Sequence, residues 1–153
     1  MAHPQTIVFL CPHNAAKSVI AAAYWERLAA QRGLPIQATS AGTDPDPEVA
    51  PGVAAALLTE GLDVRAHRPR RITREELGAA WRVITLGCDL GELAPPGVVV
   101  EPWDDVPPPS TALHAALEAI ATHIGQLGDD VEHHGADGVE RAKSPLRTEG
   151  EPL

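Results

Sequence analysis

Residues 6–32 constrain this 153-residue chain more than any other stretch. Thr6-Ile-Val-Phe-Leu10 is an apolar, partly β-branched run that stops at Cys11. Six small or polar residues, Pro12 to Lys17, separate it from a segment beginning at Ser18, where Val19, Ile20, Ala23, Tyr24 and Leu28 recur at helical spacing. Gly33 is placed to end that helix. An unbroken apolar run closed by a loop is the pattern of a strand buried on both faces. A strand that passes through a tight loop into a helix aims unpaired backbone N–H groups and the positive end of the helix dipole at one point. Tetrahedral oxyanions bind at such points. Cys11 stands at the mouth of the loop, where the same amides favour a thiolate over a thiol. The expectation is a reactive sulfur beside an anion pocket.

The remaining patterns extend this unit. Ile36–Ser40 reads as a second strand, closed by Ala41-Gly42-Thr43-Asp44-Pro45. Residues 47–61 carry Val49, Val53, Ala56 and Leu57 and end on Gly61, which predicts a second helix. Thr73-Arg-Glu-Glu76 is a capping-box pattern that opens a short third helix through Ala80. Arg82–Leu86 and Val98–Glu101 read as the third and fourth strands. The turn Val106-Pro-Pro-Pro109 precedes Ser110, the expected N-cap of a last helix running to about Leu127. Beyond Gly128 the apolar periodicity stops, so the chain divides into a folded domain, 1–128, and a flexible acidic tail, 129–153. Alternating strands and helices predict an α/β fold: a four-stranded parallel sheet with helices on both faces and right-handed crossovers. Ligands in such sheets sit at the carboxyl ends of the strands. Cys11 ends the first strand, and Cys88 lies just past the third.

Composition narrows the function. A formal net charge of −9 argues against a nucleic-acid binder. No apolar run approaches the roughly 20 residues of a membrane span, and the N-terminus lacks a signal-peptide pattern. Two cysteines do not make a disulfide framework. A cytoplasmic, reduced protein is expected. No Cys/His spacing suits zinc, so no metal is expected, and His133-His134 would bind one only adventitiously. Arg65, Arg68, Arg70, Arg71 and Arg74 crowd a short stretch. They read as a solvated turn or as a docking patch for acidic groups, the chain's own Asp129, Asp130 and Glu132 included. Trp81 and Trp103 read as packing residues, with Trp103 a candidate pocket wall.

Cys11-x-x-Asn14-x-x-Lys17-Ser18 resembles the phosphate loop of low-molecular-weight protein tyrosine phosphatases and of the arsenate reductases that share their fold. Thr39-Ser-Ala-Gly-Thr43, Val83-Ile-Thr-Leu-Gly-Cys88 and Trp103-Asp-Asp105 resemble further segments of that family, in the same order. The similarity spans roughly residues 5–127. It implies that Cys11 is the nucleophile, that Asn14 holds the loop, and that Ser18 donates to the sulfur. Pro12, His13, Asn14, Ala15 and Ala16 would line the substrate. Lys17 stands where the family has an arginine, and a point charge does not reproduce a bidentate fork. The family's acid is an aspartate on a late loop, for which Asp105 is the first candidate and Asp104 the second.

The resemblance implies either of two reactions on a small tetrahedral oxyanion, arsenate or phosphate, or on a phosphorylated substrate. The pair His13-Asn14 and the lack of a tyrosine-rich rim lean toward arsenate. Arsenate reduction would need a thiol reductant (mycothiol, glutathione or a thioredoxin-like redox partner) but no tightly bound cofactor. Cys88 is the one further cysteine and the candidate resolving thiol, with a buried small hydrophobe as the alternative reading. The competing expectation is a catalytically impaired oxyanion binder acting as a sensor or partner-binding module.

Overall fold

The computed structural model describes residues 5–143. Four strands, β1 (Gln5–Cys11), β2 (Ile36–Gly42), β3 (Arg82–Thr85) and β4 (Val100–Pro102), form one parallel sheet in the order β2-β1-β3-β4. The helices are α1 (Lys17–Arg32), α2 (Pro51–Thr59), α3 (Arg74–Ala79) and α4 (Pro109–Lys143), with a single 3-10 turn at Gly91–Leu93. The expected α/β architecture is the one observed.

Burial along β1 explains its unbroken apolar run. Ile7, Phe9 and Cys11 pack on one face with Val19, Ile20 and Trp25 of α1, Leu57 of α2 and Ile120 of α4. Val8 and Leu10 pack on the other face with Ile72, Leu77 of α3 and Val83. The core is mostly aliphatic, as a chain with 3% aromatic residues requires. Trp25, fully buried, donates its indole N–H to the carbonyl of Ile36 at 2.8 Å, tying α1 to the start of β2.

Local signals act where the sequence puts them. Gly33 closes α1 in the left-handed conformation at φ 67°. Thr73 and Glu76 form both halves of the capping box of α3. β4 is displaced to Val100–Pro102 from the expected Val98–Glu101.

The expected end of the last helix is corrected. α4 does not stop near Leu127 but continues through Lys143, and Val131 is buried in the core beside Leu127. Gly128 is a contact, not a stop. A Cβ there would stand 2.4 Å from Leu28 Cδ2 and 3.1 Å from a guanidinium nitrogen of Arg32, so the missing side chain lets α4 cross closely over α1. Asp129 and Glu132 each bond Arg32 at 2.9 Å rather than the arginine cluster at 65–74. The boundary drawn at 128/129 therefore falls inside a packed helix. Of the tail expected over 129–153, residues 144–153 lie outside the described residues.

From β1 the chain crosses to β2 on one side and later returns to β3 on the other. The gap between the carboxyl ends of β1 and β3 is the topological switch point of the sheet, where open α/β folds bind ligands. Cys11 and Leu86 flank it.

Candidate active site

The loop from Cys11 to Ser18 turns its carbonyls outward. Pro12 O accepts from Asp44 N at 2.7 Å, His13 O from Asp46 N at 3.0 Å, and Ala15 O from Ala50 N at 2.9 Å. With those oxygens tied to the connection between β2 and α2, the amides face the other way. Among the described residues, the N–H groups of His13, Asn14, Ala15 and Ala16 donate to no protein group. No side chain caps α1 either. The cradle expected from the sequence is formed, and its donors are left for a ligand.

The sulfur is held inside it. Ser18 N–H donates to Cys11 Sγ at 3.3 Å, and Ser18 Oγ lies 3.0 Å from the same atom. Cys11 is 4% exposed. Asn14 Nδ2 donates to Ser18 Oγ at 2.9 Å, filling one lone pair and leaving the hydroxyl proton for a thiolate.

Asn14 is the only non-glycine residue among those described with positive φ, at 51°, and it is fully buried. Its Oδ1 accepts from the Arg70 backbone N–H at 3.1 Å and lies 3.1 Å from His67 Nε2. Burial first, and then the Arg70 charge, push the His67 pKa below its ordinary value. A neutral ring with its proton on Nε2 fits both facts. Arg70 is in turn gripped by Glu76 through a two-pronged ion pair and by Thr39 Oγ1 at 3.0 Å. The arginine cluster divides: Arg70 sits behind the loop, while Arg65, Arg68, Arg71 and Arg74 are exposed, as in a solvated turn, with Arg65 paired to Asp63, Arg71 donating to Thr43 O and Arg74 to Glu92 O.

Gly42 sets the floor. A Cβ there would meet Pro12 O at 2.7 Å, so β2 approaches the loop as closely as it does only because position 42 has no side chain. This explains why glycine follows Ser40-Ala41 in the sequence segment that closes β2.

A cavity of about 290 Å³ opens over the sulfur. The loop gives it Cys11, Pro12, His13, Ala15, Ala16 and Lys17. The β2–α2 connection gives Asp46, the end of β3 gives Gly87, and the start of α4 gives Pro108, Pro109 and Ser110. Gly87 has φ 89°, and a Cβ there would stand 3.4 Å from Lys17 Nζ, so the lysine reaches across the loop to the β3 end. Ser110 lies within the first turn of α4 rather than ahead of it.

The aspartates expected as proton donors are not brought to the cavity. Asp105 Oδ1 is 2.7 Å from His123 Nε2, and that hydrogen bond holds its carboxyl below the usual carboxylate range. His123 stacks on Trp103 with ring centroids 4.4 Å apart, and Trp103 packs on Phe9 instead of lining the pocket. Asp104 is exposed. The run of three prolines carries the chain past the site, so Pro108, Pro109 and Ser110, not a carboxylate, form that part of the wall. Cys88 is half-buried and unbridged. Burial first, and then negative charge at Cys11 and Asp89, push its thiol up to about 11.

Three participants escape the sequence reading. His67 and Arg70 reach Asn14 from 53 and 56 residues away, and Asp46 lies in a loop with no periodic pattern. The arginine crowding at 65–74 was a visible signal, but it pointed outward.

Residues 6–95 match the family described as low molecular weight phosphotyrosine protein phosphatase. The chain belongs to that family. A "Putative arsenate reductase" from Halobacterium salinarum is 28% identical over 131 residues, covering 84% of this chain and 87% of the relative. A thioredoxin-dependent arsenate reductase from Corynebacterium glutamicum has a TM-score of 0.72 and 29% identity over 87% of this chain, which spans 65% of that one. A low molecular weight phosphotyrosine phosphatase from Vibrio cholerae has a TM-score of 0.77 at 18% identity, covering 86% of this chain and 99% of the other. The last of these speaks to fold alone. Among the described residues, no helix is long and apolar enough to cross a membrane, and no group of three or more His, Cys, Asp or Glu is gathered as a metal site.

Proposed function

We propose that this protein performs Cys11-centred chemistry on a tetrahedral oxyanion, of the arsenate-reductase or phosphatase type. The observation that carries this reading is the cradle: outward carbonyls, inward amides, and a sulfur held by both the N–H and the hydroxyl of Ser18. Attack by the Cys11 thiolate on arsenic or phosphorus would place the oxyanion's oxygens against the loop amides and Lys17. Preorganised donors of this kind are the largest usual term in such catalysis.

In the arsenate branch, a thiol attacks Cys11 Sγ in the sulfur–arsenic adduct. The S–As bond breaks, its electron pair reduces arsenate to arsenite, and a disulfide forms on Cys11. Cys88 or an external thiol (mycothiol, glutathione, thioredoxin) would supply that attack in a reducing cytoplasm. The raised pKa of Cys88 keeps it a thiol at neutral pH, which favours the external donor. In the phosphatase branch, water hydrolyses a phosphocysteine.

Lys17 supports a second reading. A lost bidentate contact in the transition state costs about 2.7–4 kcal/mol, or roughly 10²–10³ in rate. With the aspartates at 104 and 105 also away from the cavity, a binder of phosphate or arsenate that works as a sensor is the alternative. Aryl-phosphate hydrolysis and arsenate reduction with each thiol donor separate the two, using wild type, Cys11→Ser and Lys17→Arg. An enzyme turns over in wild type, stops with Cys11→Ser and speeds up with Lys17→Arg. Binding of phosphate by a wild type that turns over nothing would establish the sensor.

A further inference from the structure

The cavity holds four titratable side chains, Cys11, His13, Lys17 and Asp46. Cys11 is committed as the nucleophile, Lys17 reaches across the loop to the β3 end, and Asp46 lies against His13, which leaves the histidine for proton transfer near neutral pH. Imidazole is the side chain suited to proton transfer in that range. His13 is also the one whose ring is oriented. Its Nδ1 lies 2.9 Å from the carbonyl oxygen of Asp44 and 3.5 Å from Asp46 Oδ1. The backbone reinforces this, since Asp46 N–H donates to His13 O at 3.0 Å. A ring whose Nδ1–H is committed on that side has Nε2 at its opposite edge.

We propose that His13, oriented through Nδ1 by the Asp44 carbonyl and the Asp46 carboxylate, donates the proton to the leaving oxygen of a substrate in the Cys11 cavity. This rests on the reading of Cys11 as nucleophile. As Cys11 Sγ bonds phosphorus, the bond from phosphorus to the ester oxygen breaks, and that oxygen takes the proton from imidazolium Nε2 and leaves as an alcohol. Neutral His13 then accepts a proton from the water that attacks phosphocysteine. Phosphate departs, and the thiolate and the imidazolium are restored. The charges around the ring are Asp46 from the β2–α2 connection, and Lys17 and Cys11 from its own loop; the start of α4 presents the neutral Ser110.

The test compares aryl phosphates whose phenols range from 4-nitrophenol, a good leaving group, to unsubstituted phenol, a poor one. His13→Ala should slow phenyl phosphate by on the order of 10²-fold more than it slows 4-nitrophenyl phosphate. Asp46→Asn, an independent variant on another loop, should also slow phenyl phosphate more than 4-nitrophenyl phosphate, because it removes the carboxylate that orients the ring. Equal losses across the series for His13→Ala would mark a merely structural residue and overturn the proposal. So would leaving-group sensitivity appearing with Asp104→Asn or Asp105→Asn instead. A wild type without Cys11-dependent turnover of any ester would overturn both this assignment and the enzymatic reading. Turnover with an insensitive His13→Ala overturns this assignment alone.

Discussion

Asn14 shows how much of the site depends on single atoms. Its side chain bonds Ser18, His67 and the Arg70 backbone from a left-handed backbone that few side chains accept. Asn14→Ala would strand the His67 and Arg70 donors and keep the strained φ without compensation. The expected loss is on the order of 2–4 kcal/mol, read as a lower urea midpoint, together with slower alkylation of Cys11 by iodoacetamide as Ser18 loses its orientation. A loss below about 1 kcal/mol would mean the loop stands without this network. Gly42→Ala acts on the same loop from beneath, where the new methyl would meet Pro12 O at 2.7 Å. Backbone cannot step aside as a side chain tip can, so phosphate binding, followed by calorimetry, should weaken even if the protein folds. That Cys11, Asn14 and Ser18 come together was legible because they lie within eight residues on one loop. His67 and Asp46 were not, because nothing local reveals which distant side chain fills a buried acceptor or faces a cavity. Asp105 misled for a related reason: its partner, His123, is 18 residues on.

Among the elements, those whose signals are local came through best. β1, the Gly33 stop and the Thr73–Glu76 capping box need only neighbours in sequence. α4 did not, because a glycine and a run of acids resemble a terminus unless the facing helix is known. Two glycines of that helix now carry opposite expectations. Gly125 has open space where a Cβ would go, and Gly128 abuts Leu28 and Arg32. Gly125→Ala should gain up to about 1 kcal/mol from helix propensity. Gly128→Leu should cost about 1–3 kcal/mol, because it forces α4 from α1 and disturbs the Arg32 pairs with Asp129 and Glu132. Paired urea titrations at one pH decide this, and equal signs for the two variants would refute the packed crossing.

At the scale of the whole molecule, acid should loosen the fold in two stages, and the first begins at the site. Burial and the Arg70 charge keep His67 neutral in the folded chain, below the value near about 6.5 that an unfolded histidine shows. Between those two values the unfolded chain binds more protons, so stability rises with pH. The contribution is complete above about 6.5 and is lost as pH falls through the folded value. Two partly buried carboxylates lead the second stage. The Arg70 hydrogen bond holds Glu76 below its ordinary pKa. Burial pushes Glu101 up, but the Trp103 indole and Arg82 outweigh it and leave it lowered as well. Their support is present above the usual glutamate value, about 4.3, and is lost below it. Wild type should therefore show its urea midpoint falling modestly from pH 7 to 5, since His67 is only half-buried, and again below about 4.5. His67→Gln keeps an N–H to offer Asn14 and cannot titrate, so it should flatten the first decline and leave the second. Because Asn14 also orients Ser18 on Cys11, the same variant should keep its alkylation rate steadier between pH 7 and 5 than wild type does. A variant whose stability falls as steeply as wild type from pH 7 to 5 would move the acid sensitivity away from the loop.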